Sequence, residues 1–71
     1  MEDWKYILKV ANENLLDGYS IMIVEPDEGF YDCEIRKDGE LVEVYASNYY
    51  ENELVELIQD AWHYIKTFLI L

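Results

Sequence analysis

The sequence predicts an α+β domain with the element order αβββα, in which a three-stranded antiparallel meander has two helices packed on one face. Two apolar patterns of helical spacing, near the beginning and the end of the chain, predict the helices. Between them, a β-branched stretch and one hairpin pattern at residues 30–47 predict the strands. No linker or repeat divides the chain, so residues 1–71 are expected to form a single acidic domain.

The first predicted helix covers residues 3–16. Glu2 and Asp3 lie where acidic side chains favour a helix N-terminus, and Gly18 follows as a stop signal. One face of this helix is apolar and is expected to pack on the sheet through Trp4, Ile7, Leu8, Ala11 and Leu15.

The first predicted strand covers residues 19–25, and residues 26–29 are predicted to form the turn that follows it. Both faces of this strand are apolar. Ile21 and Ile23 are expected to face the helices, and Met22 and Val24 are expected to lie on the open face of the sheet.

Asp38 and Gly39 form the predicted turn of the hairpin, because a type I′ turn needs positive φ at both central residues. The register pairs Lys37 with Glu40 and then places three apolar pairs on the core face: Ile35 with Val42, Cys33 with Val44, and Tyr31 with Ala46. The open face pairs Arg36 with Leu41, Glu34 with Glu43, and Asp32 with Tyr45. Since like charges across a ladder repel, Glu34 opposite Glu43 indicates that these carboxylates have a use.

The second predicted helix runs to about Phe68, after a capping box formed by Asn48 and Glu51. Its apolar stripe contains Tyr50, Leu54, Leu57, Ile58, Ala61, Trp62, Ile65, Phe68 and Leu69. Glu53, Glu56 and Asp60 follow each other at spacings of three and four, so they are predicted to line one polar face.

The charge of the chain is its most unusual property. Sixteen acidic residues against five basic ones give a net charge of −11, beyond the magnitude of about 2–8 that suffices for solubility. Such a field repels nucleic acid and anionic lipid and favours basic partners. The single Cys forms no intrachain disulfide and the longest apolar run is four residues, so a cytoplasmic protein without a membrane segment is expected.

The residue types also argue against enzymatic, metal and cofactor chemistry. Cys33 is predicted to lie in the core and His63 at the edge of the second helix, so no nucleophile pair is expected. The acids form no calcium-loop pattern. The double-stranded RNA-binding domain has the same element order, but it binds phosphates with lysines where residues 48–53 here carry acids. We therefore predict no enzyme, no metal, no cofactor and no direct nucleic-acid binding.

Rows of carboxylates on a small rigid domain are able to mimic nucleic-acid phosphates, and the alternative is an acidic surface that serves solubility alone. The hairpin at residues 35–40, the acidic and apolar strand after it, and the helix ending near Trp62 make the chain resemble small phage-encoded anti-CRISPR proteins. The likeness is greatest to the Cas9 inhibitor family of Listeria prophages, although this chain is shorter and has one C-terminal helix fewer. The resemblance implies an inhibitor in the host cytoplasm that blocks the site reading the protospacer-adjacent motif, and the contacting residues that it implies in this chain are Asp38 and Glu40 alone.

The predicted function is therefore a nucleic-acid mimic that blocks a basic nucleic-acid-binding site on a host defence effector, such as a CRISPR effector. The predicted partner-binding residues on the hairpin and its flanks are Asp27, Glu28, Asp32, Glu34, Asp38, Glu40 and Glu43. A second predicted surface is the helix row Glu53, Glu56 and Asp60. The alternatives are an acidic antitoxin or immunity-type protein, or an oligomerisation module. The module would form a homodimer through Met22 and Val24, or through the tail Phe68, Leu69, Ile70 and Leu71.

Overall fold

A computed structural model describes residues 3–70 and has the predicted αβββα order. The elements, in chain order, are helix α1 (Trp4–Glu13), strands β1 (Tyr19–Asp27), β2 (Phe30–Lys37) and β3 (Glu40–Tyr49), a 3₁₀ turn (Glu51–Glu53), helix α2 (Leu54–Tyr64) and a π-helical turn (Ile65–Leu69). The strands form one antiparallel sheet in the order β1-β2-β3, which confirms the predicted meander. Glu2 at the predicted helix start and Leu71 in the predicted tail lie outside the described residues.

Both helices pack on one face of the sheet, as predicted. Ile21, Cys33 and Ile35 contribute the sheet side of the core, and all three are buried. Helix α2 and the turn after it bury Leu54, Leu57, Ile58, Ala61 and Ile65. The predicted apolar face of α1 packs around this core and stays half-buried. The apolar area removed from water on this one face is the main source of stability for so short a chain.

The hairpin turn at Asp38 and Gly39 is confirmed, because both residues have positive φ, of 53° and 86°. Lys37 pairs with Glu40 and Arg36 pairs with Leu41, as predicted. The turn also packs on the loop that follows α1, since the Asp38 backbone N–H donates to the Gly18 carbonyl oxygen at 2.9 Å.

Beyond Leu41 the predicted register is wrong, because bulges shift the pairing of β3 with β2 by one residue at three places. Ile35 pairs with Glu43, Glu34 with Val44, Cys33 with Ala46, and Tyr31 with Tyr49. The predicted pairs Ile35–Val42, Cys33–Val44, Tyr31–Ala46, Glu34–Glu43 and Asp32–Tyr45 do not form. Each bulge inserts an unpaired residue, and a shift of one residue exchanges the two faces of a strand.

The exchange turns Glu43 and Tyr45 toward α2 and turns two valines outward. The Tyr45 ring lies 5.1 Å from the Tyr64 ring, and the Tyr64 hydroxyl donates to Glu43 Oε1 at 2.9 Å. Val42 and Val44 are 45% and 46% exposed. The structure therefore packs a large aromatic ring beneath β3 where the predicted register had valines, and it removes the repulsion between Glu34 and Glu43.

The two predicted boundaries next to the hairpin also shift. Strand β1 extends to Asp27 through an irregularity after Val24, so that only Glu28 and Gly29 remain as the turn. Asn48 belongs to β3 and has a φ of 64°, so the predicted capping box of Asn48 and Glu51 is wrong. Glu53 accepts the bond at the helix start instead, from the Tyr50 backbone N–H at 2.9 Å.

The helices themselves are shorter than predicted. Helix α1 ends at Glu13, and the α-helical hydrogen bonding of α2 ends at Tyr64, before the π-helical turn. Tyr50 and Phe68, which were predicted in the apolar stripe of the second helix, are 57% and 65% exposed. They therefore contribute little to the core.

The side chain of Asn12 forms hydrogen bonds with the backbone of Ile21 on the free edge of β1. Its side-chain amide donates to the Ile21 carbonyl oxygen at 3.0 Å and accepts from the Ile21 backbone N–H at 2.7 Å. The side chain therefore satisfies both polar groups of a residue at the sheet edge, in the way that a further strand would. No sequence pattern predicted this role for a helix residue.

Replacing Asn12 with alanine is expected to lower the free energy of unfolding by about 2 kcal/mol, because two partly buried backbone groups lose their partner. Asn14→Ala is the control, since the Asn14 side chain makes one exposed bond, to the Val10 carbonyl oxygen. We expect the control to cost less than about 1 kcal/mol. Urea denaturation followed by circular dichroism measures both, and equal costs would show that Asn12 has no special role at the edge.

Candidate functional site

The acids predicted as the hairpin surface do not lie together. Asp27 and Glu28 are at the β1–β2 turn, whereas Asp38 and Glu40 are at the β2–β3 turn. These turns stand at opposite ends of β2, whose eight residues span roughly 26 Å at about 3.3 Å each. A partner that contacts one turn would therefore have to extend along the whole sheet to reach the other.

The three acids in the middle of the hairpin already have partners within the chain. Glu34 Oε1 lies 2.8 Å from Arg36 Nη2, and both side chains are half-buried. Asp32 Oδ1 accepts from the Asn48 backbone N–H at 3.1 Å. Glu43 faces α2 and accepts from Tyr64, as described above. These carboxylates stabilise the sheet and its contact with α2.

The predicted helix row does form one surface, and it lines a groove. We call this groove, which lies between β3 and α2, the acidic groove. It has a volume of about 230 Å³ and is lined by Tyr45, Tyr49, Glu53, Glu56, Leu57 and Asp60. All three of its carboxylates belong to exposed residues. They follow one another at intervals of about one helical turn, so three negative charges lie within about 10 Å along the helix axis.

Among the described residues, no cation forms an ion pair with a carboxylate of the acidic groove. Within residues 3–70 the one ion pair joins Glu34 and Arg36. Lys5, Lys37 and Lys66 lie over aromatic rings, 5.6, 5.0 and 5.0 Å from the centroids of the Trp4, Tyr19 and Trp62 rings, respectively. Glu56 and Asp60 make no hydrogen bond within the described part of the chain, whereas Glu53 is oriented by its bond to Tyr50. The groove therefore presents one oriented carboxylate, that of Glu53, and two carboxylates without a hydrogen bond within residues 3–70, those of Glu56 and Asp60, to an external cation.

The pKa values of Tyr45, which lines the groove, and of Tyr64, whose ring lies against Tyr45, are both raised. Burial raises the pKa of Tyr45 above its usual range, and the nearby Asp60 carboxylate raises it further. The hydrogen bond to Glu43 is the main cause that raises the pKa of Tyr64. Neutral phenol rings beside carboxylates suit a guanidinium or ammonium group, which stacks on the ring while it pairs with the acids.

Alkaline pH is expected to destabilise the fold from about pH 9 upward. Burial, and then the charge of Glu34, raise the pKa of the Cys33 thiol from 9.0 to about 12. The pKa values of Tyr31, Tyr45 and Tyr64 are also raised, from an ordinary 10.0. Because each folded-state pKa exceeds the unfolded value, the stabilisation is complete below the unfolded pKa and is lost as pH rises through the folded pKa.

Thermal unfolding followed by circular dichroism, at a series of pH values, measures this loss. Tyr64→Phe is the informative variant, because it keeps the ring and removes the hydroxyl that binds Glu43. We expect this variant to be less stable at neutral pH and to lose less of its stability between about pH 9 and pH 11. A melting temperature of the unmodified protein that stays constant across this range would contradict the prediction.

A second groove, of about 630 Å³, lies between α1 and α2 and shares Asp60 with the acidic groove. Its lining is mainly apolar and includes Tyr6, Val10, Trp62 and His63. The indole N–H of Trp62 is buried and has no hydrogen-bond partner within residues 3–70. One histidine and one carboxylate in this groove are too few to define a metal or catalytic site.

The remaining candidate chemistry is spread over separate regions. Cys33 is buried in the core, as predicted, whereas His63 is exposed on α2. Within residues 3–70, no three His, Cys, Asp or Glu side chains are grouped so that they could hold a metal ion. Among the described helices, none is long and apolar enough to span a membrane.

The sequence indicated the acids of the groove but missed the tyrosines. The predicted register placed Tyr45 on the open face of the sheet, away from α2, and gave no role to Tyr49. The signal that could have corrected it was the predicted contact between Glu34 and Glu43. A bulge relieves that repulsion, and it also carries Tyr45 toward the helix.

Comparison of the chain with models of protein families, with curated protein sequences and with solved structures gave no significant match.

Proposed function

We propose that this protein binds a basic site on another protein through the acidic groove and thereby blocks nucleic-acid binding at that site. The observation that carries the proposal is the concave arrangement of three carboxylates without cations beside two tyrosines. A solvated acidic surface that serves solubility alone needs neither a groove nor aromatic walls.

The charge spacing supports mimicry of a phosphate backbone. Glu53, Glu56 and Asp60 place one charge about every 5 Å along α2, whereas a DNA strand carries one about every 3.4 Å. An arginine that binds successive phosphates could bind successive carboxylates in the same way, because both anions accept its bidentate hydrogen bonds. Tyr45 and Tyr49 add ring faces on which a guanidinium or ammonium group can stack.

The class of target follows from the resemblance to anti-CRISPR proteins. We propose a CRISPR effector as the partner, with the host cytoplasm as the place of action. Such effectors hold nucleic acid in positively charged channels and read the protospacer-adjacent motif with arginines. An acidic groove of this size would accommodate a few basic side chains at the rim of such a channel.

The test is a competition assay with a Cas9–guide RNA complex and labelled duplex DNA that carries the protospacer-adjacent motif. Fluorescence anisotropy measures the displacement of the DNA as this protein is added. We expect displacement that weakens with added salt, since charges more than about 10 Å apart are screened at 0.1 M. The same assay on a small basic DNA-binding domain is the control for unspecific competition by charge.

The outcomes separate the parts of the proposal. Displacement from Cas9 alone supports both the mimicry and the target class. Displacement from the control domain alone supports mimicry and overturns the target class. If the DNA is displaced equally from both proteins at low salt, and both effects disappear together as salt rises, the competition is caused by net charge without specificity. This result overturns the target class. No displacement from either at any salt concentration overturns the function.

A further inference from the structure

The face of the sheet opposite the helices carries several exposed apolar side chains. We call it the open face and define it by Met22, Val24, Leu41, Val42 and Val44. Four of these side chains are between 44% and 50% exposed, and Val24 is half-buried. Helices α1 and α2 both lie on the other side of the sheet, so no element within residues 3–70 covers this face.

Within residues 3–70 the open face carries one uncompensated acid, Asp32, which pairs with Val24 in the sheet, whereas its other two charges neutralise each other. Glu34 and Arg36 lie at its centre on β2, where they form the ion pair. The hydrogen bond from Arg36 Nη1 to the Gly39 carbonyl oxygen holds the guanidinium in place. A net charge of −11 repels a second copy, and the ion pair at the centre of this face lowers the local repulsion there.

We infer that the open face is the interface of a homodimer related by a two-fold axis. The face is self-complementary in two respects. Apolar side chains flank the central pair on both sides, with Met22 on β1 and Val44 on β3, both paired with Glu34. A two-fold axis that lies between the two faces and perpendicular to the strands brings Arg36 of one copy near Glu34 of the other, and it brings the β3 side of one copy against the β3 side of the other.

A second copy fits this face better than a basic or an acidic partner. Among the described residues of this face, a basic partner would meet Asp32 as the one carboxylate without an ion pair, because Glu34 is already paired with Arg36. An acidic partner would meet a central carboxylate as well as the overall negative field. Another copy offers the same apolar side chains, which lose contact with water when the two faces meet.

The size of the face predicts a weak dimer. Three strands are about 14 Å wide with their side chains and β2 is roughly 26 Å long, so two faces in contact bury on the order of 1,000 Å². This value is at the lower limit for specific interfaces. Added salt screens the repulsion between the copies, so the dimer should become more stable as salt rises. The proposed groove interaction has the opposite salt dependence, so the two can fail independently.

Sedimentation equilibrium over a concentration series, at low and high salt, tests the inference. We expect the apparent mass to rise from 8.5 kDa toward twice that value with concentration, and at lower concentrations when the salt is high. Met22→Lys with Val44→Lys is expected to weaken the dimer at least tenfold, although it reduces the net negative charge. Circular dichroism checks that the variant is folded.

Tyr6→Lys with Leu16→Lys is the matched control. These side chains are 62% and 63% exposed and lie away from the open face, and the charge change is the same. We expect this control to retain the dimer, and we expect the open-face variant to retain the groove interaction. Phe68→Lys tests the C-terminal tail in the same assay.

Three results would overturn the inference. They are a mass of 8.5 kDa at every concentration and salt, an open-face variant that dimerises as well as the control, or loss of the dimer in Phe68→Lys alone.

Discussion

Reversing the charge of Glu56 and Asp60 to lysine is expected to abolish the competition with nucleic acid. Both residues are exposed, and neither makes a hydrogen bond within residues 3–70, so their removal leaves the fold intact. In the complex, each lysine would face a basic partner group at close range. We expect a loss of about 2–5 kcal/mol of binding free energy, which is more than a tenfold loss of affinity. Glu53 is left unchanged because it caps the helix start.

Glu28→Lys with Glu40→Lys is the control for this experiment. It replaces two acids with two lysines, as the first variant does, so both raise the net charge from −11 to −7. Glu28 and Glu40 are exposed at opposite ends of the predicted hairpin surface. Because both side chains stay in contact with solvent, reversing their charges is expected to cost less than about 1 kcal/mol of binding free energy. Asp38 is left unchanged because its φ of 53° favours Asp, Asn or Gly.

The competition assay in Proposed function measures both variants. If the hairpin variant abolished competition and the helix variant did not, the hairpin would be the binding surface and the acidic groove would not. If both variants lost activity equally, the net charge rather than either surface would control binding.

Truncating Ile35 to alanine is expected to cause the largest loss of stability. Ile35 is completely buried at the centre of the sheet, where it contributes to the core beneath α2. Ile→Ala at such a position costs about 2–5 kcal/mol, from lost burial and from the cavity that remains. A chain of this length has on the order of 4–10 kcal/mol of stability, so the variant is expected to lose a large part of it.

Val42→Ala is the matched control, because the predicted register placed Val42 opposite Ile35 in the core. In the structure Val42 is an unpaired bulge residue and is 45% exposed. Its truncation is therefore expected to cost less than about 1 kcal/mol. Urea denaturation measures both variants. A cost for Val42→Ala as large as that for Ile35→Ala would show that the strand has the unbulged register.

The element order was predictable because each element has a local signal. Trp4, Ile7 and Leu8 recur at helical spacing, and they pack against the core in the structure. Asp38 and Gly39 allow a turn with two positive φ angles, whatever the rest of the chain does. Ile21 and Met22 alternate along β1, and the structure places them on opposite faces. Such signals depend on neighbours within a few residues.

The register of β3 was not predictable in the same way. An unbulged hairpin buries Val42 and Val44, and the sequence alone offers no reason to reject that pairing except the repulsion between Glu34 and Glu43. The bulged pairing gains contacts with Tyr64, which lies 19 residues after Tyr45. The free energy of those contacts exists only once α2 has packed on the sheet.

The candidate site also has some properties that follow from the sequence and others that only the tertiary structure decides. The net charge, the spacing of Glu53, Glu56 and Asp60 along one helix, and the absence of an intrachain disulfide are determined by the sequence, because they depend on composition and on the period of a helix. The tertiary structure decided which acids share a surface. It separated Glu28 from Glu40 by the length of β2, and the bulges turned Glu43 toward α2 and brought Tyr45 to the groove. The physical reason is that the facing of a strand is set by packing between distant segments, whereas periodicity and turn geometry act within a few residues.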